Sequence, residues 1–372
     1  MDLKLLKNKN PGDSTGEIPI TNTQELTAQE PETDFYYGAT KVNQTPQPTT
    51  LEPPVFYEQP IEPEPVPAPV KSRIKPKKKN HKPLAILIII LVFLLIGGIA
   101  LLFADIHKSN GVIFCNILKT ESGIHSGDLV LVNSDYEYDF DNSPTLVKVS
   151  NMKNSSYLVR ENDMELARTT VSHLNKMLKA FRKETGIKNV CVNSAYRSYS
   201  DQENLFTIRE NELGYYGALA VCANAGYSEH HTGLAADLVL LDDDEVTALG
   251  SIPEYTFFQT NAKDYGFIIR YPADKEWITH ISNEPWHFRY VGKVHAYAMA
   301  EDNLCLEEYI EYIKDYSCDE PLEVQIGDKT YCVYYCEGTQ VTIPLFKLFN
   351  ISGNNVDGYV VSYKSGTGSL SR

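Results

Sequence analysis

Residues 84–104 read "LAILIIILVFLLIGGIALLFA", an unbroken apolar run without a single charged side chain. At helical rise this is long enough to cross a hydrocarbon core of about 30 Å. A helix buried in a globular core seldom stays apolar on every face for such a length. A cleaved leader would not start this far into a chain, nor end without a small-x-small cleavage pattern. The run therefore predicts one transmembrane helix.

Its flanks predict a direction. "KSRIKPKKKNHK" lies immediately before it, with Lys71, Arg73, Lys75, Lys77, Lys78, Lys79 and Lys82, whereas "ADIHKSN" lies after it. Basic residues stay on the cytoplasmic side, so the expected localisation is a cell membrane, single-pass, with everything beyond about Asp105 extracytoplasmic. A basic run can also bind nucleic acid, but its position against a span points to anionic lipid and topology. The net charge of −15 falls on a chain whose basic cluster is spent there, which argues against a nucleic-acid partner. All seven cysteines lie beyond the span, where disulfides are permitted. Their odd number leaves at least one unpaired or shared with another chain, and the absence of any CxxC removes support for a four-cysteine zinc site.

Composition divides the chain further. Residues 1–70 are rich in Pro, Thr, Gln and Glu without apolar periodicity, so they are expected to be a disordered tail, open to a cytoplasmic partner. Residues 71–83 form the basic juxtamembrane segment, 84–104 the span, 105–318 a folded domain, and 319–372 a small β extension packed on it. Within the domain "GDLVLVN" reads as a strand. "MELARTTVSHLNKMLKAFRKETG" reads as a helix through Leu166, Val171, Leu174, Met177, Leu178 and Phe181, stopping at Gly186. "NVCVNSAYR" reads as a strand, "SDQE" from Ser200 as a capping box opening a second helix, and "LAADLVL" as a third strand. "WITHI" and "PWHFRYVG" read as a hairpin, with His287 and Arg289 on one face and Trp286, Phe288 and Tyr290 on the other. A helical pair is expected from about Lys293 to Tyr316. The element mix is α+β.

Reactive residues concentrate in "SAYRS" (194–198), "SEHHTGLAAD" (228–237) and "EPWHFR" (284–289). Each alone fits a solvated loop or a satisfied core histidine. Together, a His, an Asp after a Gly-containing loop and a distant second His form an N/O set suited to tetrahedral Zn²⁺ with one position open. Zinc polarises carbonyls and acidifies water, so a nearby carboxylate such as Glu284 can serve as base. Spacing alone leaves both His230 and His231 open as ligands.

These segments, with "GDLVLVN", "SAYRSYSDQ", "NAKDYGFIIRYP" and "EPWHFRYVG", resemble the VanY-type zinc D-alanyl-D-alanine carboxypeptidases, which are close in fold to the VanX dipeptidases and to the zinc domain of hedgehog proteins. The resemblance covers about Gly123 to the C terminus. It implies an antiparallel sheet core with flanking helices around a single zinc site. Ser228, His230, Gly233, Ala235 and Asp237 meet the SxHxxGxAxD motif, and Glu284 with His287 meets ExxH. The resemblance thus makes His230, Asp237 and His287 the Zn²⁺ ligands, Glu284 the catalytic base and Arg197 the clamp on the substrate carboxylate, with Ser228 and Gln202 also binding substrate. Ala195 stands where Gly is usual, His231 where Gln is common and His280 where Gly is common, and the extra histidines are expected to line the cleft. The implied activity is removal of the C-terminal D-Ala from a peptidoglycan stem peptide ending in D-Ala-D-Ala. Two alternatives are a non-catalytic cell-wall binding or scaffold protein with structural zinc, and a related D,D-dipeptidase or endopeptidase. Short matches to serine peptidase motifs ("SNMK", "SGN", "KSG") have the wrong spacing.

Overall fold

A computed structural model describes residues 86–87, 89–92 and 106–366. The expected tail and basic segment lie outside the described residues, as does most of the expected span; residues 86–87 and 89–92 are helical and exposed. Among the described residues no helix is long and apolar enough to cross a membrane.

The strands in chain order are β1 (Ile106–Ser109), β2 (Val112–Leu118), β3 (Leu146–Lys148), β4 (Leu158–Val159), β5 (Glu165–Ala167), β6 (Val190–Ser194), β7 (Ala235–Asp242) and β8 (Glu245–Ala248). They continue with β9 (Phe267–Tyr271), β10 (Glu284–Tyr290), β11 (Leu322–Ile326), β12 (Lys329–Glu337), β13 (Gln340–Pro344), β14 (Phe349–Gly353) and β15 (Gly358–Lys364). The largest sheet runs β4-β6-β7-β10-β9, with β8 paired to the far half of β7. Its pairings are antiparallel except β4 with β6. Central β7 is buried along nearly its whole length, which is why "LAADLVL" reads as a continuous apolar run rather than an alternating one.

The longest amphipathic stretch forms helix α1 (Arg168–Thr185), which buries Val171, Leu174, Met177, Leu178 and Phe181 against this sheet. Each such side chain contributes up to about 1.5–3 kcal/mol by leaving water. Gly186 at φ 79° closes the helix in the left-handed conformation, with Arg182 and Lys183 in the last turn. The helix starts at 168 rather than 164 because residues 165–167 pair with β3 instead; Leu166 is buried as a strand residue. Helix α2 (Tyr199–Val221) is capped two residues before the expected Ser200. Ser198 is its N-cap, exchanging hydrogen bonds with Asp201.

Two expected strands are absent. "GDLVLVN" is buried at Leu129, Val130, Leu131 and Val132 yet joins no ladder; its backbone is satisfied one group at a time, Leu129 N–H by Ser352 Oγ and Leu131 N–H by the Asn354 carbonyl. "WITHI" folds as a short helix, Glu276–Thr279, closed by His280 at φ 58°. The true neighbour of β10 is β9, from the "GFIIRYP" segment.

Beyond the sheet, helices α3 (Lys293–Glu301) and α4 (Leu306–Tyr312) share an apolar cluster with Leu129, Leu131, Val324, Val333 and Val360. Strand β13 pairs with β2 in a β1-β2-β13 sheet, separate from the β11-β12-β15-β14 sheet, and residues 106–118 share with the C-terminal strands a core around Phe114, Tyr334 and Tyr363. The seven cysteines, all among the described residues, are free thiols.

Candidate active site

Register puts the site residues side by side. His287 on β10 is the direct cross-strand partner of Asp237 on β7. Glu284 lies three residues before His287, and strict alternation would send these side chains to opposite faces. The pairing of β10 with β9 is irregular between Glu284 and Phe288, and this break in alternation brings both to one side: Glu284 Oε2 is 3.5 Å from His287 Nδ1. A second register shift, between Val192 and Ser194, flanks Asp237 on its other edge.

His230 comes from a 3-10 turn, Glu229–Thr232, capped by Ser228 Oγ and closed by Gly233 at φ 66°. A side chain at Gly233 would displace Leu146 Cδ2, 2.6 Å away, and crowd the Ala167 backbone nitrogen at 3.0 Å, but it is the left-handed backbone that demands glycine. His230 Nδ1 donates to the Ala195 carbonyl at 2.6 Å, which turns Nε2 toward Asp237 Oδ2, 3.4 Å away. His287 Nδ1 stands 3.1 Å from Asp237 Oδ1.

The donors of His230, Asp237 and His287 all lie within 4.8 Å of one another, and all three residues are buried. His230 Nε2 and Asp237 Oδ1 have no hydrogen-bond partner although both are shut off from solvent. Buried polar atoms are normally satisfied, so unpartnered atoms converging on one point mark a place for an electrophile. Tetrahedral zinc with nitrogen and oxygen ligands sets donor atoms about 3.3–3.5 Å apart. The observed edges, 3.4 Å to Asp237 Oδ2 and 3.1 Å to Asp237 Oδ1, lie near that spacing, and two imidazoles with one carboxylate are zinc ligands by type; without an ion, and in spite of burial, Asp237 and Glu229 hold His287 up at about 9.

Electrostatics separates the roles. Burial holds His230 down at about 4, so its ring is neutral and its lone pair free. Asp237 is held well below the usual carboxylate range, because His230 and His287 more than offset the cost of burying it. Glu284 goes the other way: burial, helped by the charges of Asp237 and Glu229, raises it to about 7. A carboxyl poised near neutrality can both take and give a proton.

Arg197 has one end of its guanidinium committed and one open. Its NH1 donates to Gln202 Oε1 at 2.6 Å, while its buried Nε has no hydrogen-bond partner. Gln202 is fully buried, and its other amide end donates to the Ala223 carbonyl, so it braces Arg197. Ser228 is also buried, its Oγ accepting from His230 N–H. His231 is corrected. It does not line the cleft; it is fully buried, Nδ1 donating to the Arg197 carbonyl at 2.7 Å and Nε2 accepting from Gly226 N–H at 3.0 Å. His280 does line a cleft of about 480 Å³, with Asn133, Tyr227, Tyr271 and Thr279. Its left-handed backbone explains why glycine suits that position.

Sequence reasoning missed the support behind the site. Glu229 is completely buried and accepts from Arg270 Nε and Arg289 NH1, each at 2.7 Å; Arg270 also forks onto Glu307 at 2.6 and 2.8 Å. Arg289 NH2 reaches the carbonyls of Asp128 and Val130, which is how the unladdered "GDLVLVN" segment is held. Glu229 Oε2 lies 3.5 Å from His287 Nε2, directly behind the proposed ligand. The two arginines hold Glu229 ionised despite its burial. One signal was visible: Arg270 interrupts the apolar run "FIIRY", and a buried charge in a strand needs a partner.

The family model described as VanY, D-alanyl-D-alanine carboxypeptidase, matches residues 163–293, which hold Arg197, Gln202, Ser228, His230, Asp237, Glu284 and His287. A D-alanyl-D-alanine carboxypeptidase of Enterococcus faecium is 32% identical over 254 residues, covering 67% of this chain and 78% of that protein. A putative carboxypeptidase, YodJ, of Bacillus subtilis (strain 168) is 36% identical over 214 residues, covering 57% and 75%. Among solved structures, the vancomycin resistance D,D-dipeptidase VanXYg in complex with a D-Ala-D-Ala phosphinate analog superposes with a TM-score of 0.60 at 31% identity, over 68% of this chain and 99% of that one.

Proposed function

This chain belongs to the VanY D-alanyl-D-alanine carboxypeptidase family, and from that premise we propose that it removes the C-terminal D-Ala from peptidoglycan stem peptides, with Zn²⁺ held by His230, Asp237 and His287. The observation that carries the reading is the trio of buried donors converging within 4.8 Å beside a carboxyl raised to about 7. Zinc held there supplies Lewis acidity, polarising the scissile carbonyl and acidifying water.

The protein's own groups do the rest. Glu284 takes a proton from the attacking water and returns it to the leaving amine, a shuttle that suits a pKa near 7. Arg197 grips the terminal carboxylate through its free Nε edge, the planar fork matching two carboxylate oxygens. Gln202 and the His231 ring hold that guanidinium and its backbone in place. The Ser228 hydroxyl, its lone pair occupied by His230 N–H, has its proton to offer the substrate. A fixed carboxylate clamp next to the hydrolytic centre selects for loss of one terminal residue.

In the same reading the apolar run at 84–104 anchors the enzyme with its catalytic part facing the cell wall, and the 1–70 tail stays in the cytoplasm, available to a partner there. The support is the Lys/Arg excess before the run.

The test is D-Ala release from an acyl-D-Ala-D-Ala peptide by the full-length protein, beside free D-Ala-D-Ala. Chelation should abolish release, zinc should restore it and penicillin should leave it unchanged. Release that survives chelation overturns the proposal, and tight zinc binding without turnover would favour the scaffold reading.

A further inference from the structure

A second cluster of metal-ligating side chains lies outside the site just described. His107 Nε2 on β1 is 3.6 Å from Cys318 Sγ and 3.9 Å from Asp319 Oδ1, and the three donors fall within 4.8 Å of one another. The cluster is partly open to solvent, so an ion could reach it. We infer that His107, Cys318 and Asp319 form a second divalent-metal site, suited to a borderline-soft ion such as Zn²⁺, that clasps the first strand after the apolar run to the segment leading into the C-terminal sheet.

The distances carry the geometry. With Zn–S near 2.3 Å and Zn–N near 2.0–2.1 Å, tetrahedral ligation sets sulfur and nitrogen about 3.5–3.6 Å apart. The observed 3.6 Å is that edge. The 3.9 Å nitrogen-to-oxygen edge is about half an ångström longer than zinc asks. Asp319 has an exposed side chain free to swing inward.

The donors are also held. Phe114 stacks on the His107 ring at 5.5 Å and 20°, and Asn110 Nδ2 donates to the Asp319 carbonyl at 2.8 Å, fixing the backbone next to Cys318. One neutral imidazole, one thiolate and one carboxylate leave a fourth position for water.

The site has a structural use that differs from catalysis. His107 and Cys318 are 211 residues apart in sequence, so a shared ion would close a very long loop. Cross-links that close long loops remove most entropy from the unfolded chain. The clasp sits where pull from the anchor would first reach the folded domain.

Thiolate ligation separates this site from the catalytic one, whose ligand set has no sulfur. Cd²⁺ or Co²⁺ titrated into the reduced full-length protein should produce one equivalent of thiolate-to-metal charge-transfer absorption. Cys318→Ala should abolish the band, and His107→Ala should weaken its binding constant at least tenfold. Cys336→Ser should leave the band intact, although Cys336 shares an apolar cluster with Cys318. In all three variants D-Ala release should persist. A wild-type protein without the band, a band that survives Cys318→Ala, or one lost with Cys336→Ser overturns the inference. None of these outcomes depends on whether His230, Asp237 and His287 bind metal.

Discussion

Two regions a few ångströms apart in the interior treat buried charge in opposite ways. Around Glu229, its Oε1 and both oxygens of Glu307 face guanidinium groups, the arginines add backbone carbonyls, and of the carboxylate oxygens only Glu229 Oε2, turned toward His287 Nε2 at 3.5 Å, lacks a hydrogen-bond partner. Around Asp237, polar atoms equally shut from water lack partners: His230 Nε2, Asp237 Oδ1 and, beside them, Arg197 Nε. The first arrangement spends its electrostatics on holding the fold, the second keeps it in reserve for ligands. His287 belongs to both, with Nδ1 facing Asp237 and Nε2 facing Glu229. Burial alone therefore does not mark a functional group. What marks it is metal-ligating atoms meeting within 4.8 Å without compensation, since Thr170 Oγ1 and Tyr255 Oη are also buried without a partner.

The comparison breaks most sharply at Glu284. Glu284→Gln keeps the shape, removes the proton shuttle and should lower kcat by about 10²–10⁴-fold while zinc content and thermal midpoint stay near wild type. Turnover within tenfold of wild type, measured on an acyl-D-Ala-D-Ala peptide, would remove Glu284 from the chemistry. Glu229→Gln probes the matched side. It leaves Arg270 and Arg289 without their shared carboxylate, and breaking a buried pair in this way costs about 3–5 kcal/mol. Urea unfolding of the metal-free protein should show that loss, and a change under about 1 kcal/mol would mean that the network does not carry the fold.

Arg197 sits between the two regimes, half braced and half free. Arg197→Lys keeps the charge and loses the planar fork, so kcat/KM should fall about 10–100-fold on peptides with a free carboxylate. On a C-terminally amidated peptide, wild type and variant should be equal. Equal losses on both peptides would show that Arg197 serves the fold alone.

How much of this could be read from sequence follows the same division. The candidate ligands His230, Asp237 and His287, with Glu284 and Arg197, stood in short motifs whose residue types already speak of metal and carboxylate chemistry, and the structure brings the three candidate ligands and Glu284 together. The α1 helix and β7 were legible because their apolar patterns are long. What stayed hidden depends on tertiary partners. "GDLVLVN" has strand composition but no neighbour to pair with, and its backbone is served by Arg289, far away in sequence. His231 and Gln202 look reactive in one dimension, and only packing shows that their nitrogens and oxygens are committed. Glu229 was hidden in plain view, an acid between a cap and a ligand whose partners come from β9 and β10.

The smallest effect concerns a buried histidine in the matched interior far from the metal ligands. His295, on α3, has its Nδ1 2.7 Å from the Tyr309 hydroxyl, and burial lowers its pKa from 6.5 to about 4. The folded protein therefore refuses a proton that the unfolded chain accepts below about pH 6.5. Stability is unaffected by this residue above that pH and falls as the pH drops from 6.5 toward 4, with a loss of about 2 kcal/mol by pH 5. His295→Gln keeps a hydrogen-bonding partner for Tyr309 but cannot titrate, so the wild-type protein should lose about 2 kcal/mol more than the variant between pH 7 and pH 5 in urea unfolding. Identical pH profiles would place the acid sensitivity elsewhere. Such a result would mean that a neutral hydroxyl beside a buried imidazole accommodates the charge, and that matching in this interior is looser than the Glu229 network suggests.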